Sequence, residues 1–113
     1  MNRFLMGVLQ MDSTNDKQEN LRKIERLIEK AAARGARFVS MPENINFIGG
    51  TEESIASAEP IPGETSRFFS ALAKKHTLWI HCGSYAECAP GERKVYNTSI
   101  VVDPAGDIVA SYR

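Results

Sequence analysis

Only two cysteines, Cys82 and Cys88, occur in 113 residues, too few for the disulfide lattice that holds a small secreted domain together. Surplus charge is missing as well. Fourteen basic side chains balance fourteen acidic ones, which removes the simplest argument for a nucleic-acid partner, since phosphates are neutralised by excess Lys and Arg. No apolar run approaches the roughly 20 residues of a membrane span. The opening stretch turns polar by Gln10, too early for a signal peptide. Two histidines, His76 and His81, and two cysteines lack the paired short spacing of a zinc site. Gly49-Gly50 opens no helix and is not followed by Lys-Ser/Thr, so a phosphate loop is missing. No metal and no cofactor are expected. Linkers, low-complexity segments and internal repeats are absent too. What remains is ordinary: 42% apolar and 25% charged residues exclude disordered, collagenous and coiled-coil chains. The length suits about one domain, and the expected setting is a reducing, cytoplasmic one.

Residues 4–11 form a short, nearly continuous apolar run, as a strand buried on both faces would. Asp12-Ser13-Thr14-Asn15-Asp16 supplies oxygens that cap helix starts. From Asp16 to Arg34 the apolar residues Leu21, Ile24, Leu27, Ile28, Ala31 and Ala32 recur at helical spacing, and Gly35 follows where a left-handed cap needs no Cβ. Residues 36–41 read as a second strand, closed by Pro42. Strand, helix, strand is a βαβ unit with parallel neighbours. Residues 43–63 read as a long, mostly irregular connection, a kind that is often functional. Glu64 to His76 predicts a second helix, with its acid at the positive end and Lys74, Lys75 and His76 at the negative end. Residues 78–85 read as a third strand. Residues 95–102 and 108–112 read as a hairpin around Asp103-Pro104-Ala105-Gly106-Asp107. The order is β-α-β-α-β-β-β, an α/β unit with an antiparallel end.

In open parallel sheets, ligands collect outside the carboxyl ends of strands. Glu43, directly after Pro42, and Glu87, after the third strand, fall at such ends. Pro42 stiffens the exit and biases Met41 toward extended backbone, a good mount for a general base. The alternative is that Glu43 caps a loop amide or simply faces solvent. Phe47, beside the flexible Gly49-Gly50, is a candidate wall of a substrate pocket next to Glu43. Cys82, among apolar neighbours, reads as a core residue, and Cys88 as a more accessible loop thiol. His76 reads as a dipole partner, and His81 as a hydrogen-bonded core or interface histidine.

Several blocks arrive together: Gln10-Met11-Asp12, Asn20-Leu21, Ala31-Ala32-Ala33-Arg34-Gly35-Ala36 and Met41-Pro42-Glu43 come first. Gly83-Ser84-Tyr85-Ala86-Glu87, Val95-Tyr96-Asn97-Thr98 and Gly106-Asp107-Ile108-Val109-Ala110-Ser111-Tyr112-Arg113 follow. In order and interval they resemble the nitrilase, or carbon–nitrogen hydrolase, superfamily across essentially the whole chain. Asn44-Ile45-Asn46-Phe47-Ile48 is most similar to the Nit-type ω-amidases and deaminated-glutathione amidases. The resemblance implies an αββα four-layer sandwich and a Glu-Lys-Cys enzyme acting on small-molecule amides. A Cys thiolate attacks the amide or nitrile carbon, the Glu is the base for thiol and then water, and the Lys steadies the oxyanion. On this chain Glu43 matches the base. Glu87 matches a supporting glutamate, and Asn97 an asparagine expected to bond backbone at its strand's start.

The family's Lys belongs to a Tyr-Arg-Lys motif, and here the sequence reads Tyr112-Arg113. The nucleophilic Cys lies further on in the family, and neither Cys82 nor Cys88 matches it. The expectation is therefore that residues 1–113 are the N-terminal portion of one such domain, holding the Glu alone and inactive by themselves. Half a sandwich predicts a homo-oligomer or a complementing C-terminal half as partner, with no nucleic acid and no membrane. The competing readings are a non-catalytic binding or regulatory protein that reuses half the fold, and a plain nucleotide-binding domain, which the missing glycine fingerprint disfavours.

Overall fold

The computed structural model describes residues 3–113; Met1 and Asn2 lie outside the described residues. The elements are β1 (Leu5–Val8), α1 (Lys17–Ala33), β2 (Ala36–Ser40), α2 (Thr51–Ala56), α3 (Glu64–His76), β3 (Trp79–His81), β4 (Tyr85–Cys88), β5 (Val95–Val102) and β6 (Ile108–Tyr112). The strand order is β1-β2-β3-β5-β4, with β6 also paired to β5.

α1 begins where expected. The Asp16 carboxylate accepts the Glu19 amide at 3.0 Å, satisfying one of the donors a helix start leaves open. It ends at Arg34 and is followed by Gly35 at φ +89°, the left-handed geometry that glycine adopts at little cost. β1, β2 and β3 run parallel, as the βαβ reading requires. β5 then pairs antiparallel with β3, β4 and β6. The β5–β6 turn is tied by the Asp103 carboxylate, which accepts the amides of Ala105 and Asp107 at 3.0 and 2.9 Å.

Three expectations are corrected. The first strand is not buried on both faces: Leu5, Met6 and Val8 are 52%, 47% and 80% exposed. The helices cover only one face of the sheet, and β1 ends the strand order, so Met6 and Val8 on the other face find no cover. The connection 43–63 is not wholly irregular, for it contains α2. Residues 78–85 are not one strand. Gly83, at φ +65°, breaks the run into β3 and β4, which pair with the second and first parts of β5 respectively. The observed order is thus β-α-β-α-α-β-β-β-β.

The core is one-sided. Val39, Ile80, Ile100 and Val102 on the sheet pack with Leu21, Ile24 and Ile28 of α1 and Phe69, Leu72 and Ala73 of α3, all buried. The alternating residues Phe38, Ser40, Trp79, His81, Ser99 and Val101 occupy the other face, which is less buried, as the period of two along a strand dictates.

Candidate functional site

The exit from β2 is fixed at every residue. The Met41 amide donates to the His81 carbonyl at 3.1 Å, extending the strand pairing past Ser40. Pro42 then lies against Gly83, where an added Cβ would come within 1.9 Å of the Pro42 carbonyl oxygen. Only glycine permits that approach. Glu43 follows and is exposed, and its Oε1 accepts the Asn97 side-chain amide at 3.0 Å. Asn44 is left-handed at φ +53°. The Ile45 amide donates to the Ser84 carbonyl and its carbonyl accepts the Ser13 hydroxyl, both at 2.9 Å.

Glu87 is placed differently from expectation. It stands inside β4 rather than after a strand, and it is buried at 7% exposure. Arg113 grips it through two nitrogens, Nε to Oε1 and Nη2 to Oε2, each at 2.9 Å. The Thr98 hydroxyl donates to Oε1 at 2.7 Å. The guanidinium also lies 4.3 Å from the centre of the Tyr96 ring, within cation–π range. Arg113 holds the Glu87 carboxyl below the usual carboxylate range; burial opposes this, and Thr98 adds to it. A cleft of about 470 Å³ opens here, lined by Ile61, Glu87, Thr98, Ser111, Tyr112 and Arg113.

The chemistry of the two carboxylates therefore diverges. Glu87 has both oxygens taken by charged or hydroxyl donors, a holding arrangement. Glu43 is exposed and gives one oxygen to a neutral amide, and its other oxygen has no hydrogen-bond partner among the described residues. Asn97 serves Glu43 alone, its side chain lying on the β5 face opposite to that of Thr98, which bonds Glu87. It stands opposite Ala86, next to Glu87, in the β4–β5 ladder, and reaches the Glu43 side chain rather than a backbone group, which corrects its expected bonding. It shares a strand face with Ser99 and Val101, so its amide leaves the ladder toward the β2 exit. Phe47 is half-buried, its ring packed so close over Gly49 that a Cβ there would lie 2.8 Å away.

The remaining candidates fall into supporting places. Cys82 is fully buried, and burial pushes its thiol well above the ordinary range, as suits a core residue. Cys88 Sγ donates to the Ala58 carbonyl at 3.7 Å. His81 bridges Ser40 and Ser99 at 2.8 and 2.9 Å. Among the described residues no group of three or more His, Cys, Asp or Glu is arranged to hold a metal ion, and no helix is long and apolar enough to cross a membrane.

Glu59 escaped the sequence reading. It is buried at 6% exposure. Its Oε1 accepts the Thr65 amide at 2.7 Å, and its Oε2 accepts Lys17 Nζ at 2.9 Å, Asn46 Nδ2 at 3.1 Å and the Thr65 hydroxyl. Burial would raise its carboxyl, but Thr65 and Lys17 together outweigh that and hold it below the usual range. The available signal was a charged residue set between Ala58 and Pro60, just ahead of a helix start that wants an acceptor.

Comparison with known proteins adds the following. The carbon–nitrogen hydrolase family model matches residues 5–113. A deaminated glutathione amidase from Synechocystis is 34% identical, over 99% of this chain and 42% of its own length. The human omega-amidase NIT2 is 34% identical over 100% of this chain and 40% of its own length. Among solved structures, Saccharomyces cerevisiae Nit3, of branch 10 of the nitrilase superfamily, superposes with a TM-score of 0.86 at 28% identity, covering 96% of this chain and 42% of that one. The chain thus spans about 40% of the length of the curated relatives it matches.

Proposed function

This chain belongs to the carbon–nitrogen hydrolase family, and from that premise we propose that it contributes the general base, Glu43, of an amidase acting on a small-molecule amide. The relatives matched are amidases, so the non-catalytic alternative is not favoured. Residues 1–113 are then the N-terminal portion of a single domain of this family. The lysine and the nucleophilic cysteine belong to the remainder of that domain. The observation that carries the reading is the contrast at the two carboxylates: Glu43 is exposed, rigidly mounted and half open, while Glu87 is saturated.

In this reading the open oxygen of Glu43 takes the thiol proton as the thiolate attacks the amide carbon. It returns that proton to the departing ammonia, and then takes a proton from the water that hydrolyses the thioester. Asn97 fixes which oxygen stays free. Glu87, through Arg113 and Thr98, shapes the wall of the cleft at the β4–β5 ladder. Phe47 lies four residues beyond the base and is proposed to line the substrate side. The names of the relatives point to an ω-amide or a deaminated-glutathione-type amide as substrate.

The test is ammonia release from such amides by the gene-encoded polypeptide that contains these residues. Glu43→Gln is expected to lower kcat/KM by about 10²–10⁴-fold, with the folded fraction unchanged by circular dichroism. Full activity in that variant overturns the assignment. Purified 1–113 alone is expected to release no ammonia, and turnover that survives cysteine alkylation would contradict the division of the domain.

A further inference from the structure

We propose that the Glu59–Asn46 hydrogen bond is a clamp that aims Glu43, making Asn46 and Glu59 positioning residues of the site; the inference rests on Glu43 being the base. Asn44, directly after Glu43, holds a left-handed backbone at φ +53°. Asparagine enters that region more readily than other non-glycine residues, and the hydrogen bonds around it hold it there. The surroundings here are specific. The Asn44 amide donates to Ser84 Oγ at 3.3 Å, and Ile45 is bonded through both its amide and its carbonyl. Asn46 is buried at 3% exposure. Its carbonyl accepts Asn20 Nδ2 at 2.9 Å, and its own amide donates to Glu59 Oε2 at 3.1 Å and to Thr65 Oγ1 at 2.9 Å.

Glu59 is suited to anchor this stretch because it is itself immobilised from three elements. Lys17 reaches it from α1 and Thr65 from α3. Its backbone bridges β4, the amide donating to the Ala86 carbonyl at 3.0 Å and the carbonyl accepting the Cys88 amide at 2.9 Å. Those two contacts flank Glu87. A single residue thereby ties the segment that carries Glu43 to the strand that carries Glu87. A buried polar network of this kind specifies one geometry when every member is satisfied, and a small misplacement of a reacting group costs rate rather than affinity.

The experiment compares Asn46→Ala, Glu59→Gln and a core control, Leu72→Ala, in the gene-encoded polypeptide containing these residues. Asn46→Ala and Glu59→Gln are expected to lower kcat ten- to a hundredfold per folded molecule with KM within about threefold. Leu72→Ala is expected to lower Tm while leaving kcat per folded molecule unchanged. Hydrogen exchange on the same proteins should show the Ile45 amide losing protection in the first two variants and keeping it in the control. Wild-type kcat and Ile45 protection in both clamp variants would overturn the clamp, as would an equal kcat loss in Leu72→Ala. The Glu43→Gln arm separates the two ideas. If that variant is active, or if wild type releases no ammonia, the base reading falls and Ile45 exchange alone decides whether the clamp exists. If Glu43→Gln is inactive and the clamp variants are normal, only the clamp falls.

Discussion

Glu59 and Glu87 are buried carboxylates held by cations and hydroxyls, so both contribute to the pH dependence of stability. Both carboxyls titrate below their ordinary range in the fold. The unfolded chain therefore binds protons at a higher pH than the native one does, and stability rises with pH across that interval. The contribution is complete near neutrality and is lost as pH falls below about 4 toward the lower native values. Urea midpoints should be level from pH 7 to about 5 and then decline; a midpoint that holds at pH 3 would show that neither carboxylate is linked to folding. Glu59→Ala, which strands Lys17 and Asn46 without their acceptor, should cost about 3–5 kcal/mol in urea unfolding. At this scale the sequence was uneven. The place of Glu43 at a strand exit was legible because Met41-Pro42-Glu43 closes an apolar run. Glu59 was not, because its partners Lys17, Asn46 and Thr65 lie 42, 13 and 6 positions away, and no local pattern records such convergence.

Among the elements, two backbone positions decide what the sequence period alone could not. Gly83 is where an apolar run that reads as one strand must break, because the left-handed residue there lets Pro42 lie against it. Gly83→Ala would place a methyl 1.9 Å from the Pro42 carbonyl oxygen, and backbone on both sides must yield. The expected result is a loss of at least about 3 kcal/mol together with loss of any Glu43-dependent activity; a variant with wild-type Tm would mean the β3–β4 break is elastic. Thr77 is the opposite case. It caps α3 in a left-handed geometry at φ +55°, which strains a β-branched residue, and it is exposed. Thr77→Asn should stabilise by about 0.5–1 kcal/mol and raise Tm by a few degrees. The periodic helices were readable to within a residue, because α1 and α3 each bury one stripe between clear caps. The exposure of β1 was not, since an apolar run looks the same whether one or both of its faces are covered.

At the scale of the whole molecule, the helices cover one side of the sheet and leave the other open. The shape is extended, 48 × 26 × 20 Å, with Leu5, Met6 and Val8 exposed at one edge, Val109 and Tyr112 at 51% and 80% exposure on β6, and Trp79 at 40%. An edge strand presents unpaired amides and carbonyls, and here it carries apolar side chains with no charge to discourage pairing. Isolated residues 1–113 should therefore associate through second copies of the chain at micromolar concentration. Sedimentation equilibrium should give an average mass above the 12.5 kDa monomer. Trp79, the single tryptophan, should shift its emission to the blue as concentration rises. Val8→Lys, a charge on the β1 edge where Val8 is 80% exposed, should move the equilibrium toward monomer without lowering Tm, since that side chain contributes little to the core. If residues 1–113 are the N-terminal portion of a larger domain, as proposed, a polypeptide supplying the remainder in trans should compete with self-association for the same surface. A cooperatively folded monomer at tens of micromolar, with unshifted Trp79 emission, would show that this face is stable in water and would remove the argument that it needs a partner.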